Sequence, residues 1–118
     1  MRQPPAIDGY GAGGFRVAGV WRPGSLLILE DAPRDWRPAR FADLQAADFD
    51  AVIAAAPGLV EFVLLGTGPA QALPPRAVRD TLRAAGLGLE FMATEAAARL
   101  HNVLASEGRL FATALIAV

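Results

Sequence analysis

Residues 60–68, Val60-Glu61-Phe62-Val63-Leu64-Leu65-Gly66-Thr67-Gly68, form a near-continuous apolar run that ends on a threonine between two glycines. A strand covered on both faces has this composition, whereas a strand with one wet face alternates apolar and polar residues. Downstream the pattern predicts a helix over residues 74–85, a strand over 87–91, a second helix over 94–106 and a last strand over 110–118. This β-α-β-α-β order is how parallel strands are joined, so strands 60–65 and 87–91 are expected to be parallel neighbours. In the first helix Val78, Thr81, Leu82 and Ala85 share one face and Arg76, Arg79, Asp80 and Arg83 the other, with Gly86 placed to end it in a left-handed conformation. In the second, Thr94 reads as the N-cap and Ala96, Ala97, Leu100, Val103 and Leu104 as the buried stripe. Glu95, Arg99, Asn102 and Ser106 fall on the opposite face.

The first half is less regular. Residues 15–17, 20–22 and 25–30 are short β-like runs separated by Gly19 and Pro23-Gly24, which reads as a meander. Gly9, Gly11, Gly13 and Gly14 are read as hairpin corners; without a preceding buried strand and a following helix they do not make a dinucleotide fingerprint. Residues 31–40, broken by Pro33 and Pro38, are read as a loop, with Trp36 folding back over the meander edge. From Phe41 the pattern turns helical, with Leu44, Phe49, Val52 and Ile53 facing inward until Pro57-Gly58. Asp43, Asp48 and Asp50 fall outside that stripe or near a helix start, where the helix dipole favours carboxylates.

At 118 residues, 53% hydrophobic and 19% charged, the chain has room for one compact domain spanning residues 1–118. Eleven basic residues, all arginine, against twelve acidic ones leave a net charge of −1, so neither nucleic acid nor an anionic membrane is an expected partner. With no cysteine, thiol nucleophiles, disulfides and thiolate-bound metals are excluded, and a single histidine, His101, rules out multi-histidine metal sites. No metal or cofactor is implied. The longest apolar-leaning stretch, residues 51–65, is interrupted by Pro57-Gly58 and Glu61, so no membrane span is expected. The first residues lack the apolar core of a secretion signal, and a cytoplasmic location is expected.

In an open α/β sheet, ligands bind outside the carboxyl ends of parallel strands. Here Gly66, Thr67 and Gly68 follow one such strand and Thr94 follows the other, with Glu90 near the end of its strand. A Gly-Thr-Gly turn can aim backbone N–H groups at an anion, although the lysine and spacing of a P-loop are missing; the plainer reading is a tight strand exit. His101, at the border of its helix's stripe, reads as a packing residue in preference to a general base, and no carboxylate partner for it is identifiable. Asn102 is a poor mid-helix residue whose side chain suits a neighbouring backbone. Glu107-Gly108-Arg109 opens the last strand as an ion pair or a grip on a partner. A parallel last strand puts this turn at the end opposite Gly66–Gly68 and an antiparallel one puts both on one rim; the residues alone leave that open.

Read together, Glu61-Phe62-Val63-Leu64-Leu65-Gly66-Thr67-Gly68, Gly86-Leu87-Gly88-Leu89-Glu90-x-Met92-x-Thr94, Asn102-x-Leu104-x-x-Glu107-Gly108-Arg109 and Ala114-Leu115-Ile116 resemble a small domain family of unknown biochemical activity. That family occurs in bacteria and archaea, and includes a mitochondrial respiratory complex I assembly factor and an adipogenesis-associated human protein. The resemblance implies a three-layer α/β fold around a central mixed sheet, with the last strand inserted antiparallel among the others, which favours the shared rim; the N-terminal β-meander is read from the residues themselves. It implies no established catalytic residue and, in the mitochondrial member, a protein–protein role. His101 stands where the family pattern has Tyr or Phe before the motif asparagine.

Two functional expectations follow. The first is a non-catalytic protein-interaction or assembly-factor module that uses the rim or the meander with Trp21 and Trp36. The second is an anionic small-molecule site, or an enzyme, at a rim built from Gly66, Thr67, Gly68, Glu90, Thr94, Asn102, Glu107 and Arg109. There Arg109 would hold the anion by paired N–H donors and Glu90 would act as a base once burial raised its pKa. The first carries the larger weight because no catalytic constellation is visible; oligomeric state is not readable from sequence.

Overall fold

A computed structural model describes residues 3–118. Five strands form the central mixed sheet: β4 (Ser25–Leu29), β5 (Ala32–Trp36), β6 (Phe62–Gly66), β7 (Gly88–Met92) and β8 (Phe111–Leu115), in the spatial order β5-β4-β8-β6-β7. Three more, β1 (Ile7–Gly11), β2 (Gly14–Val17) and β3 (Val20–Pro23), form an antiparallel meander. Helices α1 (Asp50–Ala55) and α2 (Arg76–Ala84) lie on one face of the central sheet, and α3 (Thr94–Ser106) with the meander on the other.

Alternation along each strand builds both cores. Leu27, Leu29, Val63, Leu65, Ala112 and Ala114 pack toward α1 and α2, while Leu26, Ile28, Leu64, Phe111 and Leu115 pack toward α3 and the meander. Every residue of β4 and β8 is buried, which is what a sheet covered on both faces requires.

Strand β8 lies parallel to β6 and antiparallel to β4. The expectation of a last strand antiparallel to its neighbours therefore holds only on its β4 side. The connections explain why. The chain steps from β6 outward to β7 through α2, then back across β6 to β8 through α3. Right-handed crossovers taken in opposite directions demand helices on opposite faces, as found here. The 13-residue α3 is about 20 Å long, enough to return the chain to the start of the sheet before β8 begins.

The N-terminal half differs from the sequence reading in five places, four of them in its strands. Residues 7–11 are a strand, not a run of hairpin corners. Strand β4 leaves the meander for the central sheet. Residues 32–36, expected as loop, form an edge strand: Pro33 pairs opposite Ile28, and an edge tolerates its missing N–H. Trp36 consequently points into the α1/α2 core, edge-to-face with Phe49 at 5.5 Å, and away from the meander.

The predicted helix from Phe41 is two 3-10 turns, Phe41–Asp43 and Ala46–Phe49, followed by α1. Asp48 is the reason. Its carbonyl, which a continuous α-helix would give to Val52, accepts the Trp36 indole N–H at 2.9 Å, and its carboxylate accepts the Gln45 backbone N–H at 2.8 Å. Arg37 donates to both carboxylate oxygens, at 2.6 and 2.8 Å. That hydrogen-bonded guanidinium holds the Asp48 carboxyl below the usual carboxylate range.

Candidate functional site

Three chain segments meet where β6 ends, and their polar groups bond to one another. The Thr67 N–H donates to the Met92 carbonyl at 2.8 Å, and the Ile116 N–H to the Gly66 carbonyl at 3.0 Å. The Thr94 hydroxyl accepts the Gly68 N–H at 2.9 Å and donates to the Ile116 carbonyl at 2.7 Å, while the Thr94 N–H donates to the Gly68 carbonyl at 2.9 Å. The Thr67 hydroxyl binds the Ala70 carbonyl at 2.7 Å and accepts the Ala72 N–H at 3.2 Å, folding the following loop onto itself. Gly66 is required by the approach of these segments: a Cβ there would lie 2.8 Å from a Leu115 methyl and 2.9 Å from the Thr94 Oγ1. Gly68 has φ +106°, which favours glycine.

Thr94 is therefore not the helix cap it resembles. No side-chain cap bond is made at the start of α3; the hydroxyl is fully buried and ties the ends of β6 and β8 together. The Thr67 and Gly68 N–H groups, which an anion would need, are already donated within the fold.

The other candidate residues divide among separate places. Gly66, Thr67, Gly68 and Thr94 come together. Glu90 is exposed on β7, with Leu64 as its register partner on β6. Glu107 and Arg109 precede β8 and so lie at the opposite end of the sheet, roughly 20 Å from the rim at about 3.3 Å per strand residue. There the Arg109 guanidinium stands 5.1 Å from the centre of the Phe62 ring and 4.0 Å from Glu107. Phe62 stacks on Phe111, and Phe111 meets the His101 ring edge-to-face, each at 5.6 Å. A shallow groove of about 220 Å³ beside this end is lined by Pro4, Leu59, Leu110 and Arg109, among others.

Asn102 and His101 serve the N-terminal segment. The Asn102 amide accepts the Ile7 N–H and donates to the Ile7 carbonyl, both at 2.8 Å, so its expected use on a neighbouring backbone is what the geometry shows. His101 is fully buried at the centre of the α3 stripe, not at its border. The stripe runs through Thr94, Ala97, Ala98, His101, Leu104 and Ala105, and Val103 is exposed. Sequence reasoning placed a polar ring at the boundary, but both of its nitrogens are satisfied: Nε2 donates to the Pro5 carbonyl at 2.8 Å, which leaves Nδ1 to accept the Thr113 hydroxyl at 2.7 Å. Burial pushes its pKa down, so the ring is neutral at pH 7.

Among the described residues no cluster of His, Cys, Asp or Glu could hold a metal ion, and no helix is long and apolar enough to cross a membrane. The region that sequence reasoning passed over is the outer edge of β7. Its exposure follows only from strand order, although the absence of proline and basic residues in Gly88–Met92 was visible.

Known proteins resemble this arrangement over nearly its whole length. An uncharacterised protein of Rhodobacter capsulatus is 42% identical over 110 residues, covering 93% of this chain and 82% of that protein. The Bos taurus protein named NADH dehydrogenase [ubiquinone] 1 alpha subcomplex assembly factor 3 is 31% identical over 111 residues, covering 93% of this chain and 59% of its own length. A crystal structure of a Bartonella henselae protein described as an outer membrane protein superposes with a TM-score of 0.89 at 30% identity, covering 100% of this chain and 98% of that one. With residues 7–116 matched by the family described as protein of unknown function (DUF498/DUF598), the chain belongs to that family.

Proposed function

We propose that the chain works by holding another protein, as an assembly-factor-like module, and runs no reaction of its own. The observation that carries this reading is the commitment of the rim: the N–H groups of Thr67 and Gly68 and the hydroxyls of Thr67 and Thr94 all bond within the fold. Outside the rim, apolar side chains including Trp21, Leu59 and Leu110 are 47%, 48% and 43% exposed and available to a partner. The name of the mammalian relatives, which contain this domain in 59% of their length, supports the same reading. An anion held jointly by the eight candidate residues is not supported, because Arg109 and Glu107 stand at the other end of the sheet. The reading includes a cytoplasmic site of action, which fractionation of tagged cells tests.

Expressed with an affinity tag in Rhodobacter capsulatus and cross-linked before lysis, the chain is expected to retain a reproducible protein partner. Recovery of no reproducible partner contradicts the proposal. In a thermal-shift series with phosphate, citrate and nucleotides, no stabilisation is expected; a shift abolished by Thr94→Val but not reproduced by added salt would favour a ligand site instead.

A further inference from the structure

The central sheet has two edges, and the β5 edge is the more heavily guarded, since β7 carries a single charge, Glu90. Strand β5 carries Pro33 as its second residue, followed by Arg34 and Asp35, and Asp35 is 3.3 Å from Arg22 of the meander. Proline and charge are the usual means of blunting an edge. Strand β7, Gly-Leu-Glu-Phe-Met, has neither proline nor a basic residue, and no strand lies beyond it among the described residues.

The hydrogen bonds define what this edge presents. The Gly88 N–H donates to Glu61 and the Met92 carbonyl accepts from Thr67, so residues 88, 90 and 92 turn their backbone groups toward β6. By strand alternation Leu89 and Phe91 turn theirs outward. One of these four groups is lightly engaged: the Gln71 side-chain amide reaches the Phe91 carbonyl at 3.4 Å from an exposed loop. Beside the edge, on the α2 face, lies a groove of about 310 Å³ lined by Arg79, Arg83, Leu87, Gly88, Leu89 and Phe91. Asp80 is the acidic residue nearest these arginines in sequence; it is shared at 3.6 Å with Arg76 and at 3.9 Å with Arg83, leaving the wall of the groove net positive.

We infer that the outer edge of β7 is a β-augmentation site for an extended, acidic segment of a partner protein. The segment pairs with the backbone of Leu89 and Phe91, sets an apolar side chain over Leu89 and Phe91, and directs carboxylates two residues either side of it toward Arg79 and Arg83. The inference rests on the protein-interaction reading and specifies its surface. A second copy of this chain fits poorly. The antiparallel two-fold register that pairs Leu89 with Phe91 twice, and so uses all four outward groups, sets Glu90 directly against Glu90, where like charges oppose pairing.

The probe is the peptide acetyl-Glu-Thr-Val-Thr-Glu-Thr-amide, whose first, third and fifth side chains share one face, titrated into isotopically labelled protein. Shifts are expected at the amides of Leu89 and Phe91 and at the side chains of Arg79 and Arg83, with at least tenfold weaker binding when the two glutamates are replaced by lysine. The double variant Arg79→Glu, Arg83→Glu is expected to reverse that preference. Leu89→Pro removes an outward N–H without touching the β6 ladder and is expected to abolish binding; the arginine variant serves if the proline variant does not fold. Absence of shifts at millimolar peptide, equal binding of the lysine peptide, or concentration-dependent dimers lost on Leu89→Pro each overturn the inference. Should a cellular partner be captured equally by wild type and the Arg79→Glu, Arg83→Glu variant, the edge is wrong while the interaction reading stands; capture of none removes the interaction reading itself.

Discussion

Two places at the β7 side of the sheet offer polar groups, and they differ in kind. The rim after β6 is rich in residues that look chemical, yet Gly68 and Thr94 are bonded to each other, Thr94 also to Ile116, and Thr67 to Met92 and Ala70. The edge of β7 looks plain in sequence, yet it carries backbone groups directed away from the fold and an arginine-lined groove. Residue type points to the first and hydrogen-bond bookkeeping to the second. A buried polar group left without its partner costs far more than a bonded one contributes, so polar residues deep in a small domain are mostly holding it together.

That contrast can be broken most sharply at the rim. Thr94→Val keeps the shape and strands the Gly68 N–H and the Ile116 carbonyl, a loss of about 2–4 kcal/mol. Chemical denaturation checks it; a loss below about 0.5 kcal/mol would mean these bonds are replaced by water and the rim is open. Gly66→Ala is expected to cost about 1–3 kcal/mol through overpacking against Leu115 and the Thr94 backbone.

Asn102→Leu removes both bonds to Ile7 and is expected to cost about 1–2 kcal/mol, with the loss of amide-exchange protection concentrated in β1. A uniform loss across the molecule would show that β1 does not open separately. The third effect is on pH. His101 has a folded pKa below its unfolded value of about 6.5, so the unfolded chain takes up the proton first. Its contribution is complete above pH 6.5 and is lost as pH falls from there through the depressed folded value, with a slope of at most about 1.4 kcal/mol per pH unit. Asp48, whose folded pKa is likewise lowered, contributes above the unfolded carboxylate value and loses that contribution only as pH falls through its lower folded pKa. His101→Phe should therefore flatten stability between pH 7 and 5 and leave the more acidic loss in place; an unchanged slope would mean the ring takes up its proton equally in the folded and unfolded chain. The smallest effect belongs to the open edge, where the double variant Arg79→Glu, Arg83→Glu is expected to cost about 1 kcal/mol, chiefly the bond that the Arg79 Nε–H donates to the Pro74 carbonyl at 3.0 Å.

The C-terminal half was legible because its strands are continuous apolar runs and its helices are bounded by glycine. The Gly86 N–H returns to Arg83 and the Leu87 N–H to Leu82, the arrangement expected of a glycine-terminated helix. Strand β1 was hidden because Gly9 and Gly11 leave it little side-chain pattern, and β5 because proline reads as loop until a strand is known to be at an edge. The direction of β8 was decidable in principle from the length of α3 and the right-handed crossover rule. The rim residues were found, but their roles were not. Thr94 has the sequence context of a cap, and only the nearness of Gly68 and Ile116 in space shows where its hydroxyl goes. The position of His101 was misjudged because its partners, Pro5 and Thr113, are remote in sequence.

Residue-resolved amide hydrogen exchange on the free protein compares the rim and the edge in a single experiment. The Gly68 amide should exchange only with global unfolding, while those of Leu89 and Phe91 exchange through local fluctuation, orders of magnitude faster. Leu89 and Phe91 amides protected as strongly as that of Gly68, or a Gly68 amide exchanging freely, would contradict a sealed rim beside an open edge.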